Sequence, residues 1–146
     1  MDIDIFFRQK VPGCLESINF IQNEVLRGLR ENCGRIADDI LFEMRIIINE
    51  LMINAVKYGC EQEYDKHVEV MAGVYLDELA VITFEDEGAG FDYKSILQKE
   101  LNQLNQCCIC DLDENGRGML IVSRLCDRIR FNRKGNKVTI LKKINR

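Results

Sequence analysis

Between positions 36 and 58 apolar side chains return every three or four residues, at Ile40, Met44, Ile47, Leu51 and Ala55. That spacing predicts a long helix from about Ile36 to Tyr58, stopped by Gly59. An earlier run, Leu15, Ile18, Ile21, Val25 and Leu29, follows Pro12 with the same period and predicts a first helix. Elsewhere the period is two. Residues 3 to 7 form a short apolar strand candidate; Val68, Val70, Ala72, Val74 and Leu76 alternate with more polar neighbours; "DE" then turns the chain into a strand over 79 to 85. A third helix is expected after Gly116-Arg117-Gly118, and "IRFNRKGNKVTILKK" reads as a closing hairpin turning at Lys134-Gly135-Asn136. Tyr93 to about Leu104 is at most a weak helix, and residues 105 to 115 carry little period. Hairpin-joined strands with helices long enough to cover one face predict an α+β, two-layer sandwich with a mixed, mostly antiparallel sheet, and not a doubly wound parallel sheet. The segment from about 93 to 115 is then a lid candidate.

A chain of 146 residues, 47% apolar, suits a single domain spanning 1–146. Charged residues at 30% and a net charge of -4 describe an ordinary solvated surface, which argues against direct nucleic-acid binding. The eight Lys and Arg from Arg128 onward, with no acid after Asp127, read as a solvated hairpin edge. The acidic start MDIDIFFRQK is no signal peptide, and no stretch approaches a membrane span, so a cytoplasmic protein without membrane contact is expected. Seven cysteines, with no second C-x-x-C to pair with the one at 107–110, read mostly as small core residues, although Cys107, Cys108 and Cys110 are unusually dense.

Three stretches carry candidate chemistry. In "NELMINAVKYG", Glu50, Asn54 and Lys57 fall on one helical face beside the apolar stripe. They could simply border an amphipathic helix, but the Asn54 amide oxygen is also a neutral ligand for a hard cation already half surrounded by phosphates. In "ITFEDEGAGFD", a strand ends on Asp86, whose carboxylate can accept a hydrogen bond from an exocyclic amine such as adenine's. Gly88 and Gly90 then let backbone approach a flat ring and ribose, where a plain tight turn is the simpler alternative. In "ENGRGML", Gly116, Arg117 and Gly118 open a helix whose free N–H groups favour phosphate. Each pattern alone also reads as ordinary structure; the order of the three carries the signal.

Taken together they resemble the ATP-binding domain shared by gyrase, heat-shock chaperone, histidine kinase and mismatch-repair proteins, with its Bergerat-type fold. "NELMINAVKYG" is similar to that superfamily's N box, "DEGAGFD" to its first glycine box and "GRGMLIV" to its second. The compact length and the N-A-V-K-Y-G ending most resemble the bacterial anti-sigma factor serine kinases. The resemblance implies ATP and Mg²⁺ as cofactors, Glu50 as general base, Asn54 as Mg²⁺ ligand and Asp86 as adenine anchor. It further implies a pocket shaped by Gly88, Gly90, Gly116 and Gly118, with Arg117 near the terminal phosphate and Lys57 facing phosphate. The implied function is a serine/threonine protein kinase that binds a sigma factor and phosphorylates an anti-anti-sigma protein. The alternative is an ATP/ADP-gated binding module without phosphotransfer. A homodimer through the N-terminal strand and first helix is also implied. Asn136 and Lys137 stand where these kinases often have threonines, which leaves Thr139 without an assigned role.

Overall fold

The computed structural model describes residues 2–60, 65–88 and 114–145. Among these residues five strands form one sheet in the order β1-β2-β3-β5-β4, with β1 at Asp4–Pro12, β2 at His67–Tyr75, β3 at Leu79–Asp86, β4 at Arg128–Phe131 and β5 at Lys137–Lys143. Every pairing among the described residues is antiparallel, so the parallel component of the expected mixed sheet is not seen there. Among the described residues three helices accompany the sheet: α1 at Glu16–Cys33, α2 at Asp38–Asn54, continued by a π-helical turn at Ala55–Gly59, and α3 at Glu114–Leu125.

The two periods meet in one core. On α1, Ile21, Val25 and Leu29 are fully buried, and on α2, Ile40, Met44, Ile47 and Ile48 are. Val68, Val70 and Ala72 of β2 face them, together with Ala80, Ile82 and Phe84 of β3 and Ile140 of β5. Burying one such side chain is worth about 1.5–3 kcal/mol, so the helix-facing side of the sheet is where the two layers are held together. The β2–β3 hairpin closes through Leu76 and Asp77, both with positive φ (55° and 57°), and Glu78 N–H donates to Tyr75 O at 3.1 Å, a type I′ arrangement that matches strand twist.

Several expectations are corrected. β1 runs on past residue 7 to Pro12, because this edge strand mixes Arg8, Gln9 and Lys10 into its ladder with β2 and so loses a clean apolar alternation. Pro12 therefore closes a strand instead of opening α1. α3 begins at Glu114, so Gly116, Arg117 and Gly118 lie inside the helix and the last two residues of the expected lid are helical. The rest of that segment, with Gly90 and the three clustered cysteines, lies outside the described residues. The basic hairpin is not wholly solvated: Lys142 is 2% exposed, and its Nζ lies 2.6 Å from Glu43 of α2 while donating to Leu125 O at the end of α3 (2.5 Å).

Candidate functional site

The C-terminal end of α2 supplies the first group of site residues. Glu50 and Asn54 lie one helical turn apart, so both point the same way. Past Asn54 the helix widens: Cys60 N–H donates to Ala55 O at 2.9 Å, an i→i+5 bond. Such π turns are rare and recur at functional sites. This one carries Lys57, which is exposed, and ends in the buried Gly59.

Glu50 meets α3 across the top of the helical layer. A Cβ placed on Gly118 would lie 2.3 Å from Glu50 Oε2, so the carboxylate occupies the space that any larger residue at 118 would fill. Asn54 is 5% exposed and its Nδ2 donates to Met119 Sδ at 3.1 Å. A thioether is a weak acceptor, and among the described residues Oδ1 of Asn54 takes part in no hydrogen bond. A buried neutral oxygen left over in this way fits Mg²⁺, which is held by one or two protein oxygens together with water and substrate phosphates. Phosphate suits the start of α3 as well, since the first-turn amides of any helix have no partner within it.

Asp86, 7% exposed, closes the other side of the site. Its Oδ1 accepts from Gly88 N–H at 2.8 Å. Gly59 presses against the same carboxyl group: a Cβ there would sit 2.1 Å from Asp86 Cγ and 2.3 Å from Oδ2. Gly88 is as tightly placed, since a Cβ on it would meet Gly59 O at 2.5 Å. Gly59, Asp86 and Gly88 are thus one knot, in which glycine is required by close approach. Burial holds the Asp86 carboxyl above the usual carboxylate range, and the Gly88 N–H opposes that only in part. Asp86 and Asn54 line a common cleft with Leu51, Phe84, Phe131 and Asn136. It encloses about 10 Å³, roughly one water, so the described residues form the floor of a ligand site and little of its walls.

Of the residues expected from sequence, the fold brings Glu50 and Gly118 into contact and sets Asn54 and Asp86 in one cleft, with Gly88 bonded to Asp86. Gly116 and Arg117 fall in the first turn of α3. Thr139 is elsewhere: it pairs with Thr83 (Oγ1 to Oγ1, 3.1 Å), out of register with the helix-facing residues Val138 and Ile140, and so lies on the opposite face of the sheet. Sequence reasoning missed Gly59 as more than a helix stop, Met119 as the partner of Asn54, Asn132 altogether, and Asn136 as more than a turn residue that departs from the kinases' threonines. The signal for Gly59 was its place directly after a polar face; for the asparagines there was none beyond turn chemistry.

Comparison with known proteins gives the family of the chain. A family model described as "Histidine kinase-like ATPase domain" matches residues 22–142. The chain is 30% identical over 142 residues to "Serine-protein kinase RsbW" of Bacillus subtilis (strain 168), covering 96% of this chain and 86% of that protein. It is 29% identical over 143 residues to the protein of the same name from Bacillus licheniformis, covering 97% and 87%. The Bacillus velezensis protein of that name is 28% identical over 142 residues.

Proposed function

The chain belongs to the histidine kinase-like ATPase domain family, and from that premise we propose that it is an ATP-dependent serine/threonine protein kinase acting as an anti-sigma factor. It would bind a sigma factor and phosphorylate an anti-anti-sigma antagonist; the near full-length match to relatives named as serine-protein kinases supports the phosphotransfer part of that reading. The observation that carries the reading is the seating of the Glu50 carboxylate against Gly118, one turn before the buried amide of Asn54.

In that reading each residue has a task this chain's geometry suits. Asp86 accepts a hydrogen bond from the adenine amino group, and the first turn of α3, with Gly116 and Arg117, faces the phosphates. Asn54 Oδ1 would hold Mg²⁺, which when bound would neutralise charge on the phosphate oxygens. Glu50 takes the proton from the attacking serine hydroxyl as that oxygen bonds to the γ-phosphorus. The bond from the γ-phosphorus to its bridging oxygen breaks and ADP leaves. Lys57, exposed at the π turn, would meet phosphate from solvent.

A homodimer through β1 and α1 completes the proposal, supported by an edge strand and by exposed Ile5 and Phe20 on those two elements. No described helix is long and apolar enough to cross a membrane. Incubation with labelled ATP, Mg²⁺ and small antagonist proteins from neighbouring genes tests the function. Phosphoserine on an antagonist is the expected result; nucleotide binding with no transfer to any candidate would leave the gated binding module. Light scattering at micromolar concentration tests the dimer.

A further inference from the structure

The turn before β5 reaches back to the end of β3 in an unusual way. In a regular antiparallel ladder, Asp86 and Asn136 would exchange two backbone hydrogen bonds. One is present, from Asp86 N–H to Asn136 O at 2.9 Å. The other is not, because Asn136 N–H is taken by Asn132 Oδ1 at 3.0 Å. The Asn136 side chain supplies the missing donor instead, its Nδ2 reaching Asp86 O at 2.9 Å. Its Oδ1 in turn accepts from Asn132 Nδ2 at 2.7 Å, which fixes the amide's orientation. Asn132 Oδ1 also accepts from Gly135 N–H (2.7 Å) and Lys137 N–H (3.2 Å), and Gly135 adopts φ 83° to let the turn close.

Asp86 is therefore gripped on both sides of its own backbone by a single residue, while its carboxylate is steadied by Gly88 N–H. Side chains that recognise a ligand work only when held within a fraction of an ångström, and Asn136 lines the same cleft as Asp86. We infer that Asn136 is a positioning residue for base recognition: with Asn132 behind it, it aims the Asp86 carboxylate at the exocyclic amine of the nucleotide. The inference rests on the proposed reading of Asp86 as adenine anchor.

The test compares equilibrium binding of ATP and of purine riboside triphosphate, which lacks the 6-amino group, to the full chain and to Asn136→Ala, Asn136→Asp and Asp86→Asn. Loss of one neutral hydrogen bond predicts that Asn136→Ala weakens ATP by about 3- to 10-fold. The amine-free nucleotide should be affected by no more than about twofold, since nothing on it meets the misdirected carboxylate. Asn136→Asp keeps the shape and the bond from Asn132 but cannot donate to Asp86 O, so it should show the same selective loss even if the alanine variant folds poorly. Equal weakening of both nucleotides, or of neither, by both Asn136 variants would overturn the inference. If in that case Asp86→Asn still abolishes the preference for the amino-bearing base, only the positioning role falls. If Asp86→Asn leaves the preference intact, the reading of Asp86 falls and the inference with it.

Discussion

Replacing Gly118 with alanine separates catalysis from stability. The new methyl group would start 2.3 Å from Glu50 Oε2, where ordinary contact begins at 3.4 Å, so the carboxylate must retreat by about 1.1 Å. The obstacle is the far end of a flexible side chain, so Glu50 yields and the backbone stays. Within α3 itself, alanine is a better helix former than glycine by roughly 0.8–1 kcal/mol, which acts in the fold's favour. A misplacement of about 1 Å in a reacting group can cost about 10²-fold in rate. Gly118→Ala should therefore melt at or above the parental temperature and transfer phosphate roughly 10- to 100-fold more slowly, with a much smaller change in ATP affinity. Thermal melts beside single-turnover transfer to the antagonist provide the check. A variant that transfers at the parental rate would show that the Glu50 carboxylate has no fixed place in the reaction. One that loses stability and rate together would show that Gly118 serves packing instead.

Gly59→Ala should behave in the opposite way, because its Cβ meets the short Asp86 side chain, already tied to Gly88 N–H, and no flexible group can yield. A loss of about 1–3 kcal/mol from overpacking, together with weakened ATP binding, is expected in chemical denaturation and calorimetric titration. Lys142→Ala breaks an ion pair whose lysine side chain is 3% exposed and uncovers the end of α3. About 3 kcal/mol should be lost, the low end for buried pairs since Glu43 keeps some solvent contact, and Tm should fall by roughly 10 °C. Because the folded state holds the Asp86 proton more tightly than the unfolded chain, this group's contribution to stability is full below the usual carboxylate range and is lost as pH rises through its raised value. The ionised form is the one that accepts from adenine, so ATP affinity should decline on acidification at a pH above that range, and the decline should be absent in Asp86→Asn.

Most of the framework could be read from the chain because the helix and strand periods are carried by large side chains that the fold buries. Ile40, Met44 and Ile47 on α2 and Val68, Val70 and Ala72 on β2 are all fully buried. β1 was harder: an edge strand pairs through its backbone, and Arg8, Gln9 and Lys10 give no apolar alternation to count. The site was legible as three local patterns but not as contacts. That Gly59 makes room for Asp86 and Gly118 for Glu50 depends on elements far apart in sequence, and a glycine looks the same whether it turns a chain or clears a space. Lys142 misled for a related reason: a lysine in a basic hairpin reads as solvated until the helix carrying Glu43 is laid across it. The start of α3 was displaced because glycines suggest an opening, whereas Gly118 is a small residue within the helix that leaves room for Glu50.

The central claim is that Glu50 is the general base of a phosphotransfer reaction, and single-turnover transfer by Glu50→Gln, measured beside equilibrium ATP binding, tests it most directly. General-base assistance is worth about 10²–10⁴ in rate, and an amide of the same shape leaves the seat against Gly118 filled. Glu50→Gln should bind ATP within about threefold of the parent and transfer phosphate slower by that 10²–10⁴ factor, whereas Asn54→Ala should lose Mg²⁺-dependent affinity as well as rate. Phosphate transfer at the parental rate by Glu50→Gln would contradict the account.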